Sequence, residues 1–242
     1  MTAQSSESFT QLLFQNERIE VYDFRLPPGE SVTVVHELPT IRWQVDEGHH
    51  GLVVTQPPQE GGHSSDKKEE DEIVPDRKVF FVSPGTQWTL KNIAASTAKE
   101  AGTYRQILFV LQSDEPKYSE QQVQDLLKEA IYTTAVGTAL LLENELCRVW
   151  DFYLEPGEGG GSDTVHHHCL DYVFINVAPS RLLGLHPETL DQNNLLFDSI
   201  STDNQVTWNY IPASAGKDKA FAHGGKNGYD DRPMREYLLE LK

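Results

Sequence analysis

The 242-residue chain has only two cysteines, Cys147 and Cys169, and only two methionines. Two thiols make no disulfide framework, so none is expected. The expected setting is reducing and cytoplasmic. There is no uninterrupted apolar run of about 18 residues, the length needed to cross a bilayer, so no membrane span is expected. The first residues, Met1 to Ser6, lack the basic start and apolar core of a secretory signal. Positive charge is also scarce: 20 Lys and Arg face 37 Asp and Glu, a formal net charge of −17. A field of that sign repels nucleic acid and anionic membranes, so neither is expected as a partner. A small anion held by a local cation remains compatible with it.

Repetition is plentiful where charge balance is not. Residues 12–30, LLFQNERIEVYDFRLPPGE, and 140–158, LLLENELCRVWDFYLEPGE, share eleven of nineteen positions. Unrelated segments would share about one or two. Asn16 pairs with Asn144, Asp23 with Asp151, and Pro28-Gly29-Glu30 with Pro156-Gly157-Glu158. The match continues at Val35–Leu38 against Val165–His168, and at Arg105–Leu108 against Arg235–Leu238. The chain is therefore read as a duplicated unit. Within the first copy Ile19–Leu26, Ile41–Val45, Lys78–Val82 and Gln106–Leu111 have the alternation or solid apolarity of short strands. Short strands at regular spacing predict an antiparallel sandwich or barrel of the jelly-roll kind.

Two segments break the strand pattern. Gln56–Arg77 carries Pro57-Pro58, Gly61-Gly62 and the charge run Lys67–Glu72, and is read as a solvated, mobile hairpin loop. Ser119 and Gln122 form a capping box that opens a helix. Val123, Leu126, Leu127, Ala130 and Ile131 give it one apolar stripe, and it is expected to end before Gly137 and to join the two halves.

The richest stretch for chemistry is Gly157–Val177, where a glycine-rich lead runs into His166-His167-His168 and then an apolar, β-branched segment. On a strand His166 and His168 share one face and His167 takes the other. Two imidazoles buried on one face need hydrogen bonds or a metal. A one-residue slip would instead turn His167, Cys169 and Asp171 inward. A third histidine, His223, lies 55 residues beyond His168 and opens His223-Gly-Gly-Lys-Asn227.

Glycine, His-x-His and a distant His-x-x-x-Asn together resemble the two motifs of the cupin superfamily. The resemblance covers roughly residues 10–112 and 138–242. It implies an all-β chain of two tandem jelly-roll-like barrels, a bicupin, with residues 113–137 as a linker containing the helix. It also implies one divalent metal per chain, held by His166, His168 and His223. Fe(II) is the expected ion, with Zn, Ni, Mn and Cu as alternatives. The family's acidic ligand falls at Tyr172, whose phenol is a poor ligand while protonated. Tyr172 is therefore expected to act on bound substrate as a proton donor or orienting group. Three-histidine sites among cupins resemble those of thiol and diketone dioxygenases. The implied function is a non-haem iron dioxygenase acting on a small anionic molecule in the C-terminal barrel. A non-redox lyase, isomerase or hydrolase, and a non-catalytic ligand- or metal-binding cupin, stay open. So do monomer and homodimer.

In the first copy His36, Leu38 and Trp88 occupy the positions of His166, His168 and His223, and Arg42 that of Tyr172. That set is not expected to hold a metal. Arg42 is expected in a structural salt bridge, with an anionic ligand as the alternative. His49, His50, His63 and His186 are expected in solvent, and both cysteines in the core.

Overall fold

The computed structural model describes residues 6–45, 52–55, 72–73, 78–93 and 102–242. The chain divides into two compact units, Met1–Asp114 and Glu115–Lys242. The first contains β1 (Thr10–Gln15), β2 (Ile19–Leu26), β3 (Ser31–His36), β4 (Thr40–Gln44), β5 (Leu52–Thr55), β6 (Glu72–Ile73), β7 (Val79–Val82), β8 (Thr86–Asn92) and β9 (Tyr104–Leu111). They form two antiparallel sheets, ordered β1-β2-β9-β4-β7 and β3-β8-β5-β6. Phe24 and Leu26 of β2 and Leu108 of β9 meet Val32 of β3 and Trp88 and Leu90 of β8 in one core. The two sheets are thus the two walls of a sandwich.

The second unit opens with α1 (Glu120–Lys128) and continues through β10 (Ala139–Glu143), β11 (Cys147–Leu154), β12 (His166–His167), β13 (Asp171–Asn176), β14 (Ser180–Leu185), β15 (Leu195–Ser201), β16 (Val206–Asn209), β17 (Ala222–Asn227) and β18 (Met234–Leu241). Its sheets run β10-β11-β18-β13-β16 and β12-β17-β14-β15, the same spatial order strand for strand as in the first unit. Phe152 and Leu154 of β11 and Met234 of β18 pack on Leu182 of β14 across the sandwich. None of the four sheets closes on itself among the described residues, so each unit is a pair of open sheets rather than one continuous barrel.

The duplication extends to single atoms. A register shift interrupts β1–β2 between Leu12 and Phe14, and β10–β11 between Leu140 and Leu142. Asn16 Oδ1 accepts from the N–H groups of Arg18 and Ile19 at 2.8 and 2.9 Å. Asn144 Oδ1 accepts from those of Leu146 and Cys147 at 2.9 and 3.0 Å. These side-chain turns spare the backbone two unpaired donors where each hairpin reverses. Arg105 pairs with Asp23 at 3.0 Å, and Arg235 with Asp151 at 2.8 Å. Asn92 Nδ2 donates to Leu26 O at 2.9 Å, and Asn227 Nδ2 to Leu154 O at 3.3 Å.

Two expectations need correction. Inside the segment read as a loop, Glu72–Ile73 forms β6 and pairs antiparallel with β5; residues 56–71 and 74–77 of that segment, and His49, His50 and His63, lie outside the described residues. The capping box at Ser119 and Gln122 is present, but α1 stops at Lys128 with Glu129 as its cap. Ile131 is exposed rather than part of a buried stripe. Beyond the helix the carbonyls of Thr133 and Thr134 accept from His167 N–H at 2.8 Å and from Arg148 Nη1 at 3.3 Å. The helix lies within the second unit.

Candidate metal centre

The glycine-rich lead is explained by how near it runs to β17. Gly159 has φ +97°, and a Cβ there would lie 2.4 Å from the Gly225 carbonyl oxygen, nearer than any side chain can stand. Only glycine satisfies both the left-handed backbone and the close approach. Gly160 N–H then donates to Gly225 O at 2.8 Å, tying the lead to the strand that carries His223. A short turn at Ser162–Thr164 delivers the chain into β12, where His166 stands directly opposite His223 of β17. His168, just past β12, is held by its N–H to Phe221 O at 3.0 Å.

The three rings converge. Centroids are 4.4 Å apart for His166 and His223, 4.9 Å for His166 and His168, and 5.3 Å for His168 and His223. One ring nitrogen from each lies within 4.8 Å of the others. His166 Nδ1 sits 3.0 Å from Thr164 O, and His223 Nδ1 3.3 Å from Gly224 O. A carbonyl only accepts, so both rings carry their proton on Nδ1 and turn the Nε2 lone pair inward.

Burial, reinforced by neighbouring His223, pulls His166 down to about 3. Burial likewise holds His168 well below its usual value and lowers His223. All three are neutral imidazoles near pH 7, the form that binds metals. His168 Nε2 faces His223 Nε2 at 3.2 Å, while His168 Nδ1 is buried with no partner. With His223 Nε2 the acceptor, His168 Nε2–H is the donor of that contact, and moving its proton to the unpartnered Nδ1 gives three neutral nitrogens that fit a divalent cation.

The three histidines line a cavity of about 480 Å³ whose walls include Phe152, Phe174, Leu182 and Phe197. Tyr172 lines it too, stacked on His168 with centroids 4.2 Å apart and planes 13° from parallel. Burial, and then the charges of Glu236 and Glu240, push its hydroxyl well above the ordinary phenol value, so it stays a proton donor. Glu236 is a lining residue that the sequence reading missed. Burial raises its carboxyl to about 8. The available signal was strand alternation, which puts Met234, Glu236, Leu238 and Glu240 on one face of β18. The repeat alignment then sets Glu236 against Gln106.

The alternative register is excluded. His167 Nε2 is bonded to Ala215 O at 2.8 Å, away from the cluster. Asp171 accepts from Ile211 N–H at 2.8 Å and pairs with Lys117 at 3.1 Å, while Cys169 is a buried free thiol.

In the first unit, Arg42 Nε donates to Gln106 Oε1 at 2.7 Å, and Nη1 lies 3.2 Å from His36 Nε2. Burial and the adjacent guanidinium hold His36 down to about 3, so this ring is a neutral acceptor. The expected salt bridge of Arg42 is absent among the described residues. Its neighbours on the inner face are an amide, an imidazole and the rings of Phe24 and Trp88.

No family model matches the sequence, and no curated protein matches it. Solved structures do. The chain is similar to the Mn(II) oxalate decarboxylase of Bacillus subtilis, with TM-score 0.50 and 13% identity over 99% of this chain and 78% of that one. It is equally similar to AerE of Microcystis aeruginosa, with TM-score 0.50 and 8% identity over 96% and 97%. A cupin 2 conserved barrel domain protein of Leptotrichia buccalis aligns over 100% and 92% at 9% identity, with TM-score 0.47. At such identities the likeness is one of fold. That fold is the one shared with the decarboxylase and with AerE.

Proposed function

We propose that the chain is a bicupin whose second barrel, residues 138–242, is a metal-dependent enzyme acting on a small anionic molecule. Residues 10–112 would form the first barrel and 113–137 the connection, in a cytoplasmic monomer or homodimer. The reading rests above all on the ring nitrogens of His166, His168 and His223 lying within 4.8 Å of one another in the wall of a cavity. These three would hold one divalent ion, and the set fits Fe(II). An ion there would supply a positive charge and open positions for substrate and dioxygen, the requirement of a non-haem iron dioxygenase. With no carboxylate among the three ligands, the full charge of the ion would favour an anionic substrate. Phe152, Phe174 and Phe197 give the cavity apolar walls that exclude water from the reacting atoms. Tyr172 holds a proton on Oη beside His168 and orients or protonates the substrate oxygen.

A second reading is a non-redox lyase, and Glu236 favours it. A cavity carboxyl raised to about 8 still carries its proton near neutrality and is suited to acid–base work. The fold neighbour from Bacillus subtilis is a decarboxylase.

Elemental analysis of protein purified without a histidine tag tests the site. The expected content is about one metal per chain, lost in both His166→Ala and His223→Ala. Oxygen uptake by the Fe(II) protein with thiols and diketones then separates the readings. Uptake supports the dioxygenase. Turnover that persists under strict anaerobiosis with a redox-silent ion such as Zn supports the lyase.

A further inference from the structure

The inner faces of the two units carry opposite chemistry at matching positions. Where the second unit has Tyr172 and Glu236, the first has Arg42 and Gln106. Arg42 is fully buried. Its Nε and Nη1 are taken up by Gln106 and His36, both neutral. Its Nη2 is sealed from solvent with no partner. The guanidinium lies 5.2 Å from the Phe24 ring centre and 5.8 Å from that of Trp88, and no carboxylate among the described residues pairs with it. Burial lowers it to about 10, which leaves it charged at neutral pH. A charge held this way, balanced only by dipoles and ring faces, is an expensive arrangement that a counter-ion relieves.

Arg42 and His36 line a cavity of about 340 Å³, within the range of small-molecule sites. Its other walls include Phe24, Val34, Leu38 and Leu108. Two carboxylates also border it. Glu20 is engaged by the Tyr22 hydroxyl at 2.7 Å, and Glu37 is exposed. One uncompensated positive charge calls for one negative charge, the two glutamates disfavour a dianion, and the apolar walls suit an apolar body.

We infer that the cavity of the first unit is a second ligand site, which takes a small monocarboxylate with an apolar body against Arg42. This site stands apart from the histidine cluster and does not depend on a metal.

Titration calorimetry of the full chain with sodium benzoate tests it, in wild type, Arg42→Gln and His168→Ala. A saturable site that is at least about tenfold weaker in Arg42→Gln and unchanged in His168→Ala is expected, beside any benzoate held at the histidine cluster, which His168→Ala removes. Inorganic phosphate is expected not to compete. Absence of saturation up to about 20 mM benzoate, an affinity beyond which a site has little meaning, overturns the inference. So does survival of that site in Arg42→Gln, its loss in His168→Ala, or its displacement by phosphate. Should Arg42→Gln fail to fold, Leu38→Trp fills the cavity and keeps the guanidinium; loss of binding there supports the site, and retention overturns it.

Discussion

Nε2 of His168 and Nε2 of His223 lie 3.2 Å apart, on rings that burial keeps uncharged. A ligand that binds between them stabilises only the folded chain. Divalent metal added at about 100 times its dissociation constant should stabilise the second unit by about 2.7 kcal/mol. Differential scanning calorimetry should show the second unit's transition rising with Fe(II) or Mn(II). In His223→Ala that rise should vanish. A rise of equal size in the variant would place the metal elsewhere.

The same burial makes the metal-free protein acid-sensitive. His166 is held down to about 3, against 6.5 for an exposed histidine. Between those values the unfolded chain binds protons that the folded one refuses, so stability is complete above 6.5 and is lost as pH falls. Melting temperature in chelator should drop steadily from pH 6.5 toward 4. His166→Gln should flatten part of that slope.

Glu236 gives the opposite limb. Its carboxyl is raised to about 8 from 4.5, so the folded chain keeps a proton that the unfolded chain has released. Its contribution is fully present below 4.5 and is lost as pH rises through 8. Glu236→Gln keeps the shape without the ionisation. It should melt at least about 5 °C higher than wild type at pH 8 and nearly equal to it at pH 4. Equal melting at both pH values would mean the carboxyl is not shielded.

Gly159→Ala should lower stability by more than about 2 kcal/mol, because the added Cβ meets backbone rather than a movable side chain. The displaced strand is the one bearing His223, so metal content should fall with it. Gly29→Ala is the control for backbone strain alone, since its φ is +77° and a Cβ there meets nothing within 4 Å. Urea unfolding and metal analysis of both variants separate crowding from strain.

Much of this was legible in the sequence because the chain states its plan twice. Asn16 and Asn144, Asp23 and Asp151, and Asn92 and Asn227 hold matching backbone and ion-pair roles in the two units. The histidine cluster was legible from parity, since His166 and His168 share a face and His223 falls on the strand opposite. Glu236 was not, because an acid in a strand that also carries Arg235 and Glu240 reads as solvated until its neighbours' burial is known. The environment of Arg42 was hidden for a similar reason: Gln106, its partner, is 64 residues away and carries no charge to betray the pairing. Ala130 and Ile131 kept the helical spacing in the sequence although α1 ends at Lys128, since periodicity alone does not mark where a helix stops.

The strand β12 is two residues long, whereas β3, its counterpart, is six. Its partners on β17 are His223 and Ala222, so two of the three imidazoles face each other across the shortest seam in that sheet. Whatever cation they capture would act as a rivet where the backbone offers few stitches. Amide exchange at His167 and His168 should therefore report occupancy directly, slow when the rivet is in and quick when a chelator draws it out.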